Sequence, residues 1–197
     1  MTCKLIFLTL VLIIFGNIDE ANGQKSSQLH YFTAIQDTLV SQIARDGTVK
    51  GQHVSRAAYT SEQYIRFDSL RRISSVEDMM FLANHKSAAV KVYAFISLLD
   101  SKDWEKALQA LQLNYKDRTA FYHLFGCIGG IHTVGYFMGI NLKISLKNNN
   151  ITLDTHSQKL FETILAKLPS YKKEKMIANR QEKIIEAQAE RVARFSL

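Results

Sequence analysis

Three side chains that could do chemistry lie close together in the sequence: His123, Cys127 and His132. Imidazole and thiolate groups are ligands that zinc prefers, and a cysteine beside a histidine can also act as a nucleophile with its base. If residues 118–128 form a helix, His123 and Cys127 lie one turn apart on the same side, and His132 can return to them across a glycine turn. The set lacks a fourth ligand, and its surroundings are apolar. A small metal-dependent or thiol enzyme centred on these three residues is therefore the alternative hypothesis.

The main prediction from the motifs is that the chain carries no catalytic, metal-binding or cofactor-binding residues. The sequence contains no nucleophile-elbow, zinc-protease, phosphate-loop or dinucleotide-binding signature. Cys127 lies among Phe125, Gly126 and Ile128, so we expect a buried and unreactive cysteine. The sequence therefore favours a non-enzymatic role, in binding or as a scaffold.

Residues 1–23 are typical of a secretory signal peptide. Lys4 precedes an apolar stretch at residues 5–15, and small residues follow at Ala21 and Gly23. The apolar stretch is shorter than the roughly 20 residues that span a bilayer, so we expect cleavage and not a retained anchor. The mature chain would then be one domain at residues 24–197, exported to the periplasm or the extracellular space, without a transmembrane helix.

The mature chain would be strongly basic, because removal of Lys4, Asp19 and Glu20 leaves 24 basic and 16 acidic residues. A net charge of +8 favours anionic partners. For an exported protein we expect a protein partner or an anionic surface, and no nucleic acid. Two basic clusters are candidates for this contact: Arg66, Arg71 and Arg72 in the first, and Lys172, Lys173, Lys175, Arg180 and Lys183 in the second.

The second basic cluster belongs to residues 172–197, which are predicted to form a long charged helix at the end of the chain. Its apolar residues make only a thin and interrupted stripe. Glu174, Glu182 and Glu186 are interleaved with the basic residues. We expect these three carboxylates to dilute the positive charge of the helix.

Helical periodicity dominates the rest of the chain and predicts an all-α fold. Apolar residues recur at helical spacing in the segments 29–45, 60–73, 76–83, 88–99, 104–113, 117–128 and 154–168. Residues 46–58 are predicted to be a loop, since they carry two glycines and little apolar content. At residues 133–147 we predict a helix in which Gly135 and Gly139 allow close backbone approach. The alternation of residues 140–153 leaves a small β-hairpin as the alternative there.

One part of this pattern resembles a known repeat. Residues 75–99 read as a capped helix, a polar turn at residues 84–87 and a second helix that carries Val90, Lys91 and Ala94. This order resembles the HEAT repeat of α-solenoids, and the resemblance covers about 45 residues. The order of helices is also similar to the order found in single-domain exported proteins with HEAT-like helices. The resemblance implies a short stack of antiparallel helical hairpins, which would offer an extended concave surface for binding.

Overall fold

The structure is a computed structural model that describes residues 32–195, with the side chains of residue 182 and residues 185–195 excluded. The predicted signal peptide at residues 1–23 lies outside the described residues. In chain order the elements are α1 (Ala34–Asp46), β1 (Val49–Val54), β2 (Tyr59–Thr60), α2 (Glu62–Ile73), α3 (Val76–Leu82), α4 (Ala88–Asp100), α5 (Trp104–Asn114), β3 (Ala120–Gly126), β4 (Ile128–Thr133), α6 (Val134–Asn148), α7 (Thr155–Lys167) and α8 (Tyr171–Phe195).

A four-stranded mixed sheet lies among these helices, so the prediction of an all-α, HEAT-like stack of helical hairpins is wrong. The strand order is β2-β1-β3-β4. The two outer pairs are antiparallel, whereas β1 and β3 run parallel in the middle. The helices α2 to α5 connect β1 to β3, as a parallel pair requires a long crossover. The fold is therefore mixed α/β.

The β3–β4 hairpin replaces most of the helix that was predicted at residues 117–128. Phe121 and Phe125 have helical spacing. Residues 121, 123 and 125 also share one face of a strand, because alternate side chains of a strand point to the same side. Gly126, with φ +61°, begins a two-residue connection between the paired residues Phe125 and Ile128. Glycine at this position favours a tight hairpin turn. This glycine turn therefore favours a strand over a helix at residues 120–126.

Strand β1 lies within residues 46–58, which were predicted to be a loop. Its end residues Val49 and Val54 are buried. The hydroxyl of Tyr93 on α4 donates to the carbonyl of Lys50 at 2.9 Å and accepts from the Lys50 N–H at 2.7 Å. These bonds join residues far apart in the chain, so local pattern gives no sign of them.

Helix α4 is the centre of the core and contacts α1, α2, α3, α5 and α6 as well as the sheet. Its buried side chains are Ala89, Val90, Val92, Tyr93, Ala94, Phe95 and Leu98. The predicted helices at residues 76–83, 88–99 and 104–113 are present as α3, α4 and α5. Helix α6 decides between the two predictions for residues 133–153, because it is continuous over Val134–Asn148. The helix predicted at residues 133–147 is present, and the alternative, a small β-hairpin at residues 140–153, is wrong.

Candidate binding site at the hairpin and the last helix

A groove of about 590 Å³ lies between the β3–β4 hairpin and the first turns of α8. Its walls bring together residues from both elements. The hairpin contributes the three residues that the sequence singled out, and α8 contributes one carboxylate and one ammonium group. The residues that matter for the chemistry are His123, Cys127, His132, Glu174 and Lys175.

The two histidines are neighbours in the groove but do not converge on one point. His123 pairs with Gly130 across the hairpin and His132 pairs with Phe121, so the two imidazoles lie on a diagonal of one face. Their rings are stacked, with centroids 5.0 Å apart and planes only 3° from parallel. Parallel stacked rings keep their nitrogen lone pairs in separate planes. This geometry does not suit two ligands of one metal ion.

Cys127 lies at the tip of the hairpin and is exposed. The paired residues Phe125 and Ile128 close the turn, and His132 lies four residues further along β4. At about 3.3 Å per residue, that separation is about 13 Å along the strand. The helical arrangement on which the three-ligand hypothesis rested is wrong, because these residues form a hairpin. Within residues 32–195, no group of three or more His, Cys, Asp or Glu side chains is arranged to hold a metal ion.

His123 is the most perturbed ionisable side chain of the groove wall. It is only 8% exposed, and its ring contacts Phe125, Phe137 and His132. Neither of its ring nitrogens has a hydrogen-bond partner among the described residues. Burial, and to a smaller extent the neighbouring His132, lowers the pKa of His123 to about 4. The imidazole is therefore neutral near pH 7.

Glu174 is fully buried between α8 and the sheet. Its carboxylate accepts hydrogen bonds from the backbone N–H of Thr133 at 2.6 Å and from the Thr133 hydroxyl at 2.9 Å. His132 Nδ1 lies 3.8 Å from Oε1 of the same carboxylate, which is too long for a hydrogen bond. Burial alone would raise the pKa of Glu174, but His132 and the bonds from Thr133 outweigh it and hold the pKa below its ordinary value.

The sequence analysis missed the role of Glu174 and counted it as a carboxylate that dilutes the charge of α8. A usable signal was present. Glu174, Ala178 and Gln181 are spaced at i, i+4 and i+7, and they interrupt a helix otherwise rich in lysine. In the structure Ala178 is buried beside Glu174, and the side chain of Gln181 accepts from the N–H of Ala120 at 2.8 Å. This stripe is the face that α8 turns to the sheet.

The first predicted basic cluster lies on α2 and is neutralised by carboxylates. Arg66 pairs with Glu62 at 3.0 Å and also lies 3.7 Å from a carboxylate oxygen of Asp46. Arg71 and Arg72 pair with carboxylates at distances of 2.7 to 3.1 Å, mainly with the shared partner Asp68. Hydrogen bonds from these two arginines hold the pKa of Asp68 below its ordinary value. The α2 cluster therefore presents little unbalanced charge.

The second predicted basic cluster lies on α8 and is not paired with carboxylates among the described side chains. All five of its members are exposed: Lys172, Lys173, Lys175, Arg180 and Lys183. Within the part of the chain that the structure describes, none of them takes part in an ion pair. Glu174 points away from them, toward the sheet. Among the described side chains, the eight predicted residues thus divide into a set on α2 that is paired with carboxylates and a set on α8 that is not.

In residues 32–195, no helix combines the length and the apolar character that crossing a membrane requires. No protein-family model, curated protein or solved structure matches this chain.

Proposed function

We propose that this protein is a non-enzymatic binding protein, exported from the cell, and that it binds an acidic protein partner through the outward face of α8. The observation that carries the proposal is the charge balance of the two basic clusters. Carboxylates neutralise the arginines of α2, whereas the five cations of α8 are exposed and without an acidic partner among the described residues. A set of exposed cations that are not held in ion pairs attracts and orients a complementary acidic surface.

The distribution of apolar residues on α8 favours a protein over a membrane surface as the partner. Tyr171, Met176 and Ile184 are exposed at 61%, 67% and 48%. At 100° per residue they spread over more than half of the helix circumference. A helix that lies in a membrane interface needs one continuous apolar face. Isolated apolar side chains among cations suit a protein surface of mixed character.

Export is proposed on the pattern of residues 1–23 alone, with a positive residue, a short apolar stretch and a small-residue cleavage motif. Expression of the full chain with a C-terminal tag tests it. The tagged protein is expected outside the cytoplasm with a new N-terminus near residue 24. Recovery of the tagged protein in the cytoplasm with Met1 or Thr2 at its N-terminus would contradict export.

Binding is tested with fluorescent poly-glutamate as an acidic polypeptide and, in parallel, with vesicles that contain an anionic phospholipid. We expect poly-glutamate to bind, and the affinity to fall steeply between about 0.05 and 0.5 M salt, because exposed charges are screened within about 10 Å at 0.1 M. Binding to the vesicles without binding to poly-glutamate would replace the protein partner with a membrane. Failure of both probes at low salt would overturn the proposal.

A further inference from the structure

Strand β4 is an edge strand, and two hydrogen bonds show which of its backbone groups face outward. The N–H of Val134 donates to the carbonyl of Thr119 at 3.1 Å, on the side of β3. The N–H of Thr133 donates instead to Glu174, on the opposite side. Along an antiparallel strand, successive residues direct their N–H and C=O groups to alternate sides. Gly129 and Ile131 therefore direct both of their backbone groups away from β3.

Between Thr133 and the hairpin tip, the outward backbone groups of β4 are not hydrogen-bonded within the described part of the chain, and the first turns of α8 lie beside them. Among the described residues, no hydrogen bond beyond the strand pairing engages the backbone of Gly129 or Ile131. Glu174 occupies the outward N–H of Thr133, so the open stretch ends there. Both open residues line the groove that α8 borders. An unpaired strand edge is a template for another strand.

We propose that an extended, acidic segment of the partner adds to this edge as a fifth strand. The N–H groups of Gly129 and Ile131 donate to carbonyls of the segment, and their carbonyls accept from its amides. Main-chain pairing of this kind gives affinity, while pockets for alternate side chains give specificity. The inference rests on the proposed function and names how the partner is held.

The charges and apolar groups around the edge specify the segment. Lys175 lines the same groove and favours a carboxylate on the segment. Ile128 is 74% exposed and Tyr122 is 43% exposed beside the open edge, so they offer contacts to apolar side chains. A second copy of this chain is a poorer occupant, because edge-to-edge pairing would bring two sets of α8 cations together. The fitting segment alternates acidic and apolar residues.

The direct test is amide hydrogen exchange of the mature chain, followed by NMR, with a synthetic peptide of about eight residues that alternates valine and glutamate. In the free protein, the amides of Gly129 and Ile131 are expected to exchange fast and those of Gly130 and His132 slowly. Saturating peptide is expected to slow exchange at Gly129 and Ile131 by at least about tenfold, as new backbone hydrogen bonds protect them. Their exchange is the readout that an electrostatic contact alone would not move.

The variant Ile131→Pro removes one outward N–H without removing a bond to β3, and Ile131→Val is its matched control. We expect Ile131→Pro to weaken peptide binding at least about tenfold, and Ile131→Val to change it less than about twofold. Circular dichroism checks that both variants fold. If Ile131→Pro does not fold, the exchange experiment on the unaltered chain is the deciding test of strand addition.

The outcomes separate the two proposals. If the peptide or poly-glutamate shifts resonances of α8 but leaves exchange at Gly129 and Ile131 unchanged, strand addition is overturned and binding through α8 stands. If poly-glutamate binds and the alternating peptide does not, strand addition is likewise overturned. If neither probe binds at low salt, both proposals fail. A peptide-dependent dimer in analytical ultracentrifugation would overturn the 1:1 addition and favour pairing between two copies.

Discussion

The carboxylate of Glu174 on α8 accepts two hydrogen bonds from Thr133 at the end of β4, at 2.6 and 2.9 Å, across 41 residues of sequence. Both residues are fully buried. This contact fixes the helix that carries the basic face beside the edge strand, and it closes the edge of the sheet at one end. The relation between a buried acid and a strand end thus positions the whole candidate site.

Replacement of Glu174 tests how much this contact stabilises the fold. Glu174→Ala leaves the buried N–H and hydroxyl of Thr133 without an acceptor, so we expect the free energy of unfolding to fall by about 3 kcal/mol. Glu174→Gln keeps one carbonyl oxygen to accept from the N–H, and a loss of about 1 kcal/mol is expected. Urea unfolding measures both values. Equal losses for the two variants would contradict a specific role of the hydrogen bonds.

The buried His123 predicts a pH dependence of stability. Its pKa is about 4 in the folded protein and near 6.5 in an unfolded chain. Between these values the unfolded state binds the proton more strongly, so stability rises with pH through this window and is lost on acidification. The full effect is about 3 kcal/mol. The pKa of Glu174 is lowered from its ordinary value of 4.5. The stability that its carboxylate contributes is therefore lost only when the pH falls below 4.5.

The matched variant for this pH dependence is His123→Phe, since Phe121, Phe125 and Phe137 already surround the ring. The change removes a buried imidazole without hydrogen-bond partners, so we expect equal or greater stability at pH 7, by up to about 1 kcal/mol. Urea midpoints at pH 7 and near pH 5 give the comparison. A steep decrease of stability between these pH values that persists in His123→Phe would assign the effect to another group.

Two glycines of α6 predict different costs for the same substitution. A Cβ on Gly135 would lie 2.5 Å from the carbonyl oxygen of Tyr115 and 2.7 Å from that of Asn114, so Gly135→Ala must displace backbone. A Cβ on Gly139 would meet the end of the Leu168 side chain, which can rotate. We expect Gly135→Ala to cost about 3 kcal/mol of stability and Gly139→Ala about 1 kcal/mol or less. The reverse order in thermal unfolding would contradict this packing.

The position of Cys127 predicts an accessible thiol, contrary to the buried cysteine expected from its apolar sequence neighbours. A thiol reagent is expected to label Cys127 in the native protein without denaturant, because the exposed thiol can react without opening of the fold. Peptide mapping by mass spectrometry locates the label. Labelling only after addition of denaturant would show that the thiol is covered.

The helical part of the fold could be predicted because it is recorded in local patterns. Apolar spacing and capping residues identify α3, α4 and α5, and the helical stripe of α6 outweighs the alternation at its end. The close backbone approach predicted at Gly135 and Gly139 is present only at Gly135, where the carbonyls of Asn114 and Tyr115 at the end of α5 lie against it, whereas Gly139 meets side chains. The helical pattern of these elements depends on residues that are close in sequence, although their packing partners are not.

The sheet could not be predicted, because its strands are specified by contacts between distant segments. The residues of β1 have no strand-like alternation, and Tyr93 supplies the hydrogen bonds that hold Lys50. Phe121 and Phe125 fit a helix and a strand equally well, and the glycine turn after them decides between the two. The same limit applies to the site. The spacing of Glu174, Ala178 and Gln181 indicates which face of α8 turns inward, but only the fold shows that Glu174 meets Thr133 at the end of β4.

The central claim is that the basic face of α8, and not the paired arginines of α2, binds the acidic partner. Two triple variants with the same net charge test it: Lys172, Lys173 and Arg180 replaced by Gln, and Arg66, Arg71 and Arg72 replaced by Gln. Binding of fluorescent poly-glutamate at about 0.05 M salt is the measurement. We expect the Kd of the α8 variant to rise at least about tenfold and that of the α2 variant to stay within about twofold of the unaltered protein. Equal losses in the two variants would show that net charge alone is responsible and would contradict the claim.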